Sequence, residues 1–166
     1  MKILDSEETI AAFGLPYFRE LSTFGALSDE IIVDLLSNGV IRQLARGEYI
    51  SRTDEIVKAF QVVLQGRMAY YKKFEGRDVL TRHFCQGQQV GFDEMIGLTA
   101  QNGTDVATED SITLDISSEQ FYRLHVNYPA DFGLFMINLA RELAREIEML
   151  EDVIGKGTGW SSEGDS

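Results

Sequence analysis

Residues 98–108, with the sequence LTAQNGTDVAT, are the segment whose residue types are best suited to binding chemistry. Its centre, from Gln101 to Thr104, is small and polar, and it offers backbone and side-chain amides as hydrogen-bond donors. Successive backbone N–H groups of this kind can form an anion-binding nest. The segment carries no cation, because no Arg or Lys lies between Arg82 and Arg123. The pattern indicates an anion cradle without a positive charge.

Two other groups of residues are suited to chemistry. Asp93 and Glu94 could act as an acid–base pair, although adjacent acids are usually part of a solvated turn. His83 and Cys85 would point to one face of a strand and could ligate a metal. Two ligands are too few for a specific site, so we predict a buried thiol beside a hydrogen-bonded histidine, and no metal site.

Motifs of the common enzyme classes are missing from the sequence. It has no Gly-Lys-Ser/Thr phosphate loop and no Ser-centred nucleophile elbow. A metal-dependent cupin enzyme would need a cluster of several histidines with a carboxylate, and this sequence has only 2 histidines. We therefore predict no catalytic residues and no certain cofactor.

The composition is that of a globular domain. The chain has 166 residues, of which 44% are hydrophobic and 25% charged, enough to bury a core. It has no long apolar run and a single cysteine, which predicts a cytoplasmic protein without membrane contact. A net charge of −12 opposes binding to the phosphates of nucleic acids.

The elements that must position these residues follow from local signals, and they predict one domain over residues 1–154. Residues 1–39 are predicted to be helical: Asp5 with Glu8 forms a capping box, and Ser28 caps a helix that Gly39 ends. Residues 40–116 contain short β-branched and aromatic segments separated by glycines or polar pairs, which is typical of a β-sandwich or barrel. The segments are VIRQLAR, EYISR, AFQVVLQ, RMAYYKKF, DVLTRHF, TDVAT and SITLDI.

Residues 117–154 are predicted to form two helices, the first capped by Ser117 and the second opened by Pro129. An apolar stripe follows the second helix at spacings of three and four residues. We predict that it forms a homodimer interface, although a helix folded back on its own roll fits the pattern nearly as well. Residues 155–166, rich in Gly and Ser, are predicted to be a flexible tail. The stripe consists of Phe132, Met136, Leu139, Leu143, Ile147 and Leu150.

The order of these elements, together with the segments LARGEYI, AFQVVLQGRMAYY and FCQGQQVGF, resembles the cyclic-nucleotide-binding domain family. Members include the sensor domains of catabolite-activator and FNR-type bacterial regulators. The resemblance runs from Pro16 to Ile154. It implies a mainly β fold, a double-stranded β-helix or jelly roll with N-terminal helices and a long C-terminal helix. In such regulators a helix-turn-helix domain would begin near Gly155, where this chain has only a short tail, so we expect no direct contact with DNA.

The resemblance also implies a ligand pocket. In the family, a short segment begins with Gly-Glu, whose glutamate binds the ribose hydroxyl, and ends with an arginine that binds the cyclic phosphate. Here Phe92 stands in the place of the glutamate, and Gln101 stands in the place of the arginine. The implied ligand-binding residues are Gly91, Phe92, Asp93, Glu94, Gln101, Asn102, Gly103 and Thr104.

The loss of the arginine is expected to weaken the binding of a cyclic nucleotide. A guanidinium donates in a planar fork to two phosphate oxygens and cancels their charge, whereas Gln101 is neutral. Because a hydrogen bond to a charged group contributes about 1.5–3 kcal/mol, the exchange weakens binding by roughly one to two orders of magnitude. We expect a ligand-sensing regulatory module that signals through its C-terminal helix, with an unidentified ligand and protein partner. The alternatives are a genuine cyclic AMP or cyclic GMP receptor with a rearranged pocket, and a ligand-free dimeric scaffold or interaction protein.

Overall fold

The computed structural model describes residues 1–51 and 56–158. It consists of antiparallel strands flanked by helices, which confirms the predicted fold class. The strands are β1 (Lys2–Leu4), β2 (Val40–Leu44), β3 (Tyr49–Ser51), β4 (Ala59–Gln65), β5 (Arg67–Phe74), β6 (Arg77–Cys85), β7 (Gln89–Val90), β8 (Gly103–Ala107) and β9 (Ser111–Ser117). The helices are α1 (Ser6–Phe13), α2 (Leu15–Arg19), α3 (Asp29–Asn38), α4 (Phe92–Gly97), α5 (Ser118–Asn127) and α6 (Pro129–Thr158), with a 3₁₀ turn at Ser22–Phe24.

The strands form the two sheets of a β-roll. One sheet has the order β1-β2-β9-β4-β7 and the other has the order β3-β8-β5-β6. Strand β1 was not predicted, since residues 1–39 were expected to be helical throughout. It forms because Lys2 to Leu4 pair with β2, and this distant partner gives no signal in the local sequence.

The predicted helix caps are present. The side chain of Asp5 accepts a hydrogen bond from the backbone N–H of Glu8 at 2.9 Å, as a capping residue does. The hydroxyl of Ser117 likewise accepts from the backbone N–H of Gln120 at 3.1 Å. Capping signals involve residues three apart, which is why the sequence located these helix ends.

Aromatic rings fill the core between the helices and the outer face of the roll. The ring of Phe60 on β4 packs edge-on against Phe92 at 5.2 Å between centroids, and against Phe121 at 5.8 Å. Phe135 of α6 joins the same cluster and is fully buried. Burying each such side chain stabilises the fold by about 1.5–3 kcal/mol. This core fixes the start of α4 and the first turns of α6 against the roll.

The first half of helix α6 folds back on its own roll, which removes Leu139 from the predicted dimer stripe. Leu139 is 0% exposed and is therefore not available to a second copy of the chain. The remaining members of the stripe's first half, Phe132, Met136 and Leu143, pack against the same core. Ile147 and Leu150 in the second half are 57% and 38% exposed.

The helix also continues beyond the predicted domain end. It reaches Thr158, so the tail predicted to begin at residue 155 starts with helical residues. The rest of the predicted tail, residues 159–166, lies outside the described residues. None of the described helices is long and apolar enough to cross a membrane.

Candidate functional site

A cavity of about 530 Å³ opens where β5, β6, α4, the α4–β8 connection and α6 meet. Its volume lies in the range of small-molecule sites. Most of its lining residues have polar side chains, although carbon atoms make up most of the exposed wall, and helix α6 contributes one apolar side chain. The lining residues are Tyr70, Lys72, Thr81, Arg82, Asp93, Glu94, Thr99, Ala100, Gln101, Asn102 and Leu150.

A β-bulge explains why two consecutive residues of β6, Thr81 and Arg82, both line the cavity. Successive side chains of a regular strand point to opposite faces. Here Tyr70 pairs with Arg82 while Tyr71 pairs with Leu80, so Thr81 is an extra residue without a partner in the ladder. Bulges of this kind redirect side chains and are common beside functional sites.

Arg82 is the central cation of the site. Its Nη2 atom donates to Oδ2 of Asp93 at 2.7 Å, and its Nη1 atom donates to Oε2 of Glu146 on α6 at 2.9 Å. Burial of Arg82 acts to lower the pKa of its guanidinium, but the carboxylates of Asp93 and Glu146 raise this pKa overall. The guanidinium therefore stays charged, and its charge is directed at protein carboxylates.

Asp93 and Glu94 are both half-buried on α4, which corrects the interpretation of a solvated turn. Burial and, to a smaller extent, the neighbouring Asp93 together raise the pKa of Glu94 to about 8. Burial also acts to raise the pKa of Asp93, but the hydrogen bond from Glu94 and the charge of Arg82 lower it overall. Near neutral pH the pair therefore holds one proton between its two carboxyl groups and carries one negative charge.

Two carboxylates of α6, those of Glu146 and Glu142, join the helix to the roll. Burial raises the pKa of Glu146 to about 7 against the opposing charge of Arg82. Oε1 of Glu146 accepts from Nε2 of Gln89 at 3.2 Å. Glu142, 4% exposed, accepts from the backbone N–H of Gln89 at 2.9 Å and from the hydroxyl of Thr23 at 2.8 Å. The α6 carboxylates thus fasten the helix beside the cavity.

Gln101 is a buried acceptor on the cavity wall. Its residue is 2% exposed, and its Oε1 accepts no hydrogen bond from the part of the chain that the structure describes. Leaving a buried acceptor without a donor costs about 1–3 kcal/mol. The neighbouring Asn102 is exposed on the same wall. The polar segment 98–108 therefore does reach the cavity.

The structure brings together four of the eight predicted ligand-binding residues, namely Asp93, Glu94, Gln101 and Asn102. Phe92 is corrected to a core residue, since it is 1% exposed and packs on Phe60.

The remaining three residues shape the site without lining it. Gly91 adopts a left-handed conformation, with φ of 81°, just before α4. Gly103 begins β8, where a Cβ atom would lie 2.4 Å from Cε2 of Tyr70, so the glycine leaves room for that ring. Thr104 pairs with Tyr71 inside the sheet.

Sequence reasoning missed the residues that β5, β6 and α6 bring to the cavity. Tyr70, Arg82 and Leu150 come from three different elements, and only the tertiary fold makes them neighbours. One signal was available. A pair of acids that is buried requires a cation, and Arg82 is the nearest one in the sequence.

The predicted buried thiol is also corrected, because Cys85 is exposed. His83 is exposed as well. Among residues 1–51 and 56–158, no group of three or more His, Cys, Asp or Glu side chains is placed to hold a metal ion.

Comparison with known proteins finds a matching family model and similar solved structures. The model of the cyclic nucleotide-binding domain matches residues 41–128. No curated protein sequence matches the chain significantly. Solved structures share its fold at identities below 25%, which supports the fold and not a shared ligand.

Three of these structures illustrate the likeness. A cyclic nucleotide-binding domain from Methylobacillus flagellatus superposes with a TM-score of 0.74 at 18% identity, covering 92% of this chain and 86% of that one. The catabolite activator protein of Thermus thermophilus has a TM-score of 0.65 at 22% identity, covering 80% of this chain and 61% of that one. This chain therefore matches less than two thirds of the activator's length. The third structure is the regulatory subunit of a cAMP-independent protein kinase A from Trypanosoma cruzi, bound to guanosine. It has a TM-score of 0.66 at 19% identity, covering 92% of this chain and 51% of that one.

Proposed function

The chain belongs to the cyclic nucleotide-binding domain family, and on that premise we propose that it is a non-catalytic regulatory module that senses a small ligand in the cavity beside α6. This proposal rests on one observation, that helix α6 forms part of the cavity wall. Leu150 of α6 lines it directly, and Glu146 of the same helix binds Arg82, another wall residue. A ligand that contacts this wall acts on the contacts that hold the helix.

The phosphate-binding segment is degenerate in this proposal. Gln101 takes the place of the family arginine, and Arg82 is already bound to Asp93 and Glu146. Lys72, also on the wall, is exposed to solvent, where salt screens its charge. The structural relative from Trypanosoma cruzi is cAMP-independent and bound to guanosine, so a protein of this fold can hold a ligand that has no phosphate.

The signal would leave through α6. A ligand shifts a conformational equilibrium only by its difference in affinity for the two states. Here that difference arises from the contacts of Leu150 and from the Arg82–Glu146 ion pair, because both change if the second half of the helix moves.

A homodimer through the exposed part of α6 completes the proposal. Ile147, Leu150 and Ile154 follow each other at spacings of three and four residues, the alternation of a two-stranded coiled coil. Ile147, Leu150 and Ile154 are 57%, 38% and 60% exposed. Because Leu150 belongs both to this seam and to the cavity wall, ligand binding and dimerisation would influence each other.

Hydrogen exchange tests the sensing function. The intact chain is incubated with cyclic AMP, cyclic GMP, adenosine or guanosine, binding is measured by calorimetry, and exchange is followed by mass spectrometry. We expect a bound compound to change exchange in residues 142–154 more than in α3, which does not line the cavity. A compound that binds and leaves α6 unchanged would contradict the proposal.

The two alternatives predict other results. A genuine cyclic nucleotide receptor would bind cyclic AMP or cyclic GMP and respond through the same helix. A ligand-free scaffold would bind none of the four compounds. The scaffold is disfavoured by the open cavity, because Phe92 and Met95 are buried in the core and do not fill it.

A further inference from the structure

We propose that the cavity binds an uncharged ligand rich in hydrogen-bond donors, of the nucleoside class, whose N–H and O–H groups reach the buried acceptor of the wall. This inference rests on the sensing function proposed above and specifies the ligand class. Three features of the wall support it: a neutralised cation, a buried acceptor that lacks a donor, and an aromatic ring.

The cation inside the cavity is neutralised by protein groups. Both terminal nitrogens of Arg82 already donate, to Asp93 at 2.7 Å and to Glu146 at 2.9 Å. The three side chains are 15%, 30% and 18% exposed, so these ion pairs are largely shielded from water. A phosphate would meet a guanidinium whose charge is already compensated, beside two carboxylates that repel it. An organic cation gains little, because Arg82 already compensates Asp93 and lies beside it.

The wall offers a buried acceptor that no donor of the described chain satisfies. Oε1 of Gln101 is buried and accepts no hydrogen bond. Oδ1 of Asp93 and Oε2 of Glu94 are also buried, but these two carboxyl groups share a proton and so hydrogen-bond to each other. A buried acceptor is stabilised when a ligand supplies the missing N–H or O–H. The cavity therefore favours a ligand that brings donors.

An aromatic side chain completes the wall. Tyr70 is 4% exposed and lines the cavity beside Gln101. A planar base can stack on such a ring, and base–aromatic stacking is tolerant of base identity. A volume of about 530 Å³ is sufficient for a base with its sugar. An uncharged base and sugar combine the flat surface and the donors that this wall requires.

Calorimetry on two matched pairs of compounds tests the charge preference. Guanosine is compared with cyclic GMP, and adenosine with cyclic AMP, because the members of each pair differ by the cyclic phosphate. We expect at least one nucleoside to bind at least tenfold more tightly than its cyclic nucleotide. Equal or tighter binding of the cyclic nucleotide in both pairs, or no binding of either nucleoside, would overturn the inference.

Two further compounds identify which groups of the ligand donate the hydrogen bonds. Ribose alone tests whether the sugar hydroxyls suffice. Inosine, which lacks the 2-amino group of guanosine, tests a base donor. Weaker binding of inosine than of guanosine assigns the base N–H groups to the buried acceptor, whereas binding of ribose with the affinity of the nucleosides would overturn the nucleoside assignment.

Gln101→Leu tests the buried acceptor, and Gln61→Leu is its matched control. Gln61 is 5% exposed, and its Oε1 also lacks a donor, but it does not line the cavity. We expect Gln101→Leu to lose at least tenfold in nucleoside affinity and Gln61→Leu to lose none, with folding of both checked by thermal unfolding. Unchanged affinity in Gln101→Leu would remove Gln101 from the site. If that variant does not fold, the comparison of the matched pairs in the natural chain still decides the charge preference.

The outcomes separate this inference from the sensing function. A preference for cyclic nucleotides, with a response of α6, contradicts the ligand class and leaves the sensing function intact. A nucleoside that binds without a response of α6 contradicts the sensing function and leaves the ligand class intact.

Discussion

Nη1 of Arg82 lies 2.9 Å from Oε2 of Glu146, so one ion pair joins strand β6 of the roll to helix α6. The same guanidinium binds Asp93 on α4. Arg82 therefore links the charge of the cavity to the second half of the helix. Because these partners are largely buried, the removal of one leaves the others without compensation.

Replacing Arg82 tests this dependence. We expect Arg82→Met to lower the free energy of unfolding by about 3 kcal/mol, since it leaves two partly buried carboxylates unpaired. Urea unfolding measures the loss. The control is Arg77→Met on the same strand, where the arginine side chain is 77% exposed and its substitution should cost about 0.5 kcal/mol or less. Equal stability of the two variants would show that the ion pairs contribute nothing to the fold.

The stability of the fold should fall as the pH rises from about 5 to 8. The pKa of Glu146 is raised from 4.5 to about 7, and that of Glu94 from 4.5 to about 8, mainly by burial. In this range the folded protein holds protons that the unfolded chain has released, so raising the pH favours unfolding. Asp93, whose pKa is lowered, acts in the opposite direction only at more acidic pH.

Urea unfolding at a series of pH values measures this dependence. The groups that face Glu146 are Arg82, Asp93 and Glu142. We expect Glu146→Gln to flatten the decline and Glu148→Gln, an exposed position of the same helix, to leave it unchanged. A decline of the same slope in Glu146→Gln would exclude Glu146 as a source of the pH dependence.

Restoring an arginine should restore phosphate binding. Gln101→Arg places the cation at the family position, but Gln101 is buried and the longer side chain must displace its neighbours. Asn102→Arg is preferred, because Asn102 is exposed and already lines the cavity. We expect it to raise cyclic AMP or cyclic GMP affinity by about tenfold or more, as measured by calorimetry. Asn102→Gln, which adds length without charge, should give no increase.

Leu139 belongs to the core of a single chain. We expect Leu139→Ala to lower the free energy of unfolding by about 2–5 kcal/mol, because it leaves a cavity among packed side chains. Ile137→Ala, at a position that is 48% exposed, should cost much less. Chemical denaturation at several protein concentrations distinguishes the two. Similar losses in both variants would argue against the folded-back arrangement of α6.

Ile147 belongs to the proposed dimer seam. We expect Ile147→Lys to shift the protein from dimer to monomer in sedimentation experiments, because it places a charge in an apolar interface. The matched control is Leu134→Lys, which alters another partly exposed apolar residue of α6 outside the seam. A natural chain that sediments as a monomer, or a variant that remains dimeric, would contradict the interface.

Much of the fold could be predicted because its signals are local. The caps at Asp5 and Ser117 depend on groups three residues away, and the strands were recognised from short segments between glycines and polar pairs. Strand β1 escaped prediction because its partner Gln43 is far away in the chain. The same limit applies to the site, where Asp93 and Gln101 were found in one short segment and Tyr70 and Leu150 were not.

The sequence by itself determined the order of the elements, the absence of a cation from residues 98–108 and the apolar stripe of α6. Only the tertiary structure decided that Phe92 lies in the core, that the stripe is divided between a buried Leu139 and an exposed Ile147, and that Arg82 is neutralised by α6. The physical reason is the range of the interactions. Caps, turns and periodicity arise between close neighbours in the chain, whereas burial and charge compensation depend on groups from distant elements, such as Arg82 and Glu146, that meet only after folding.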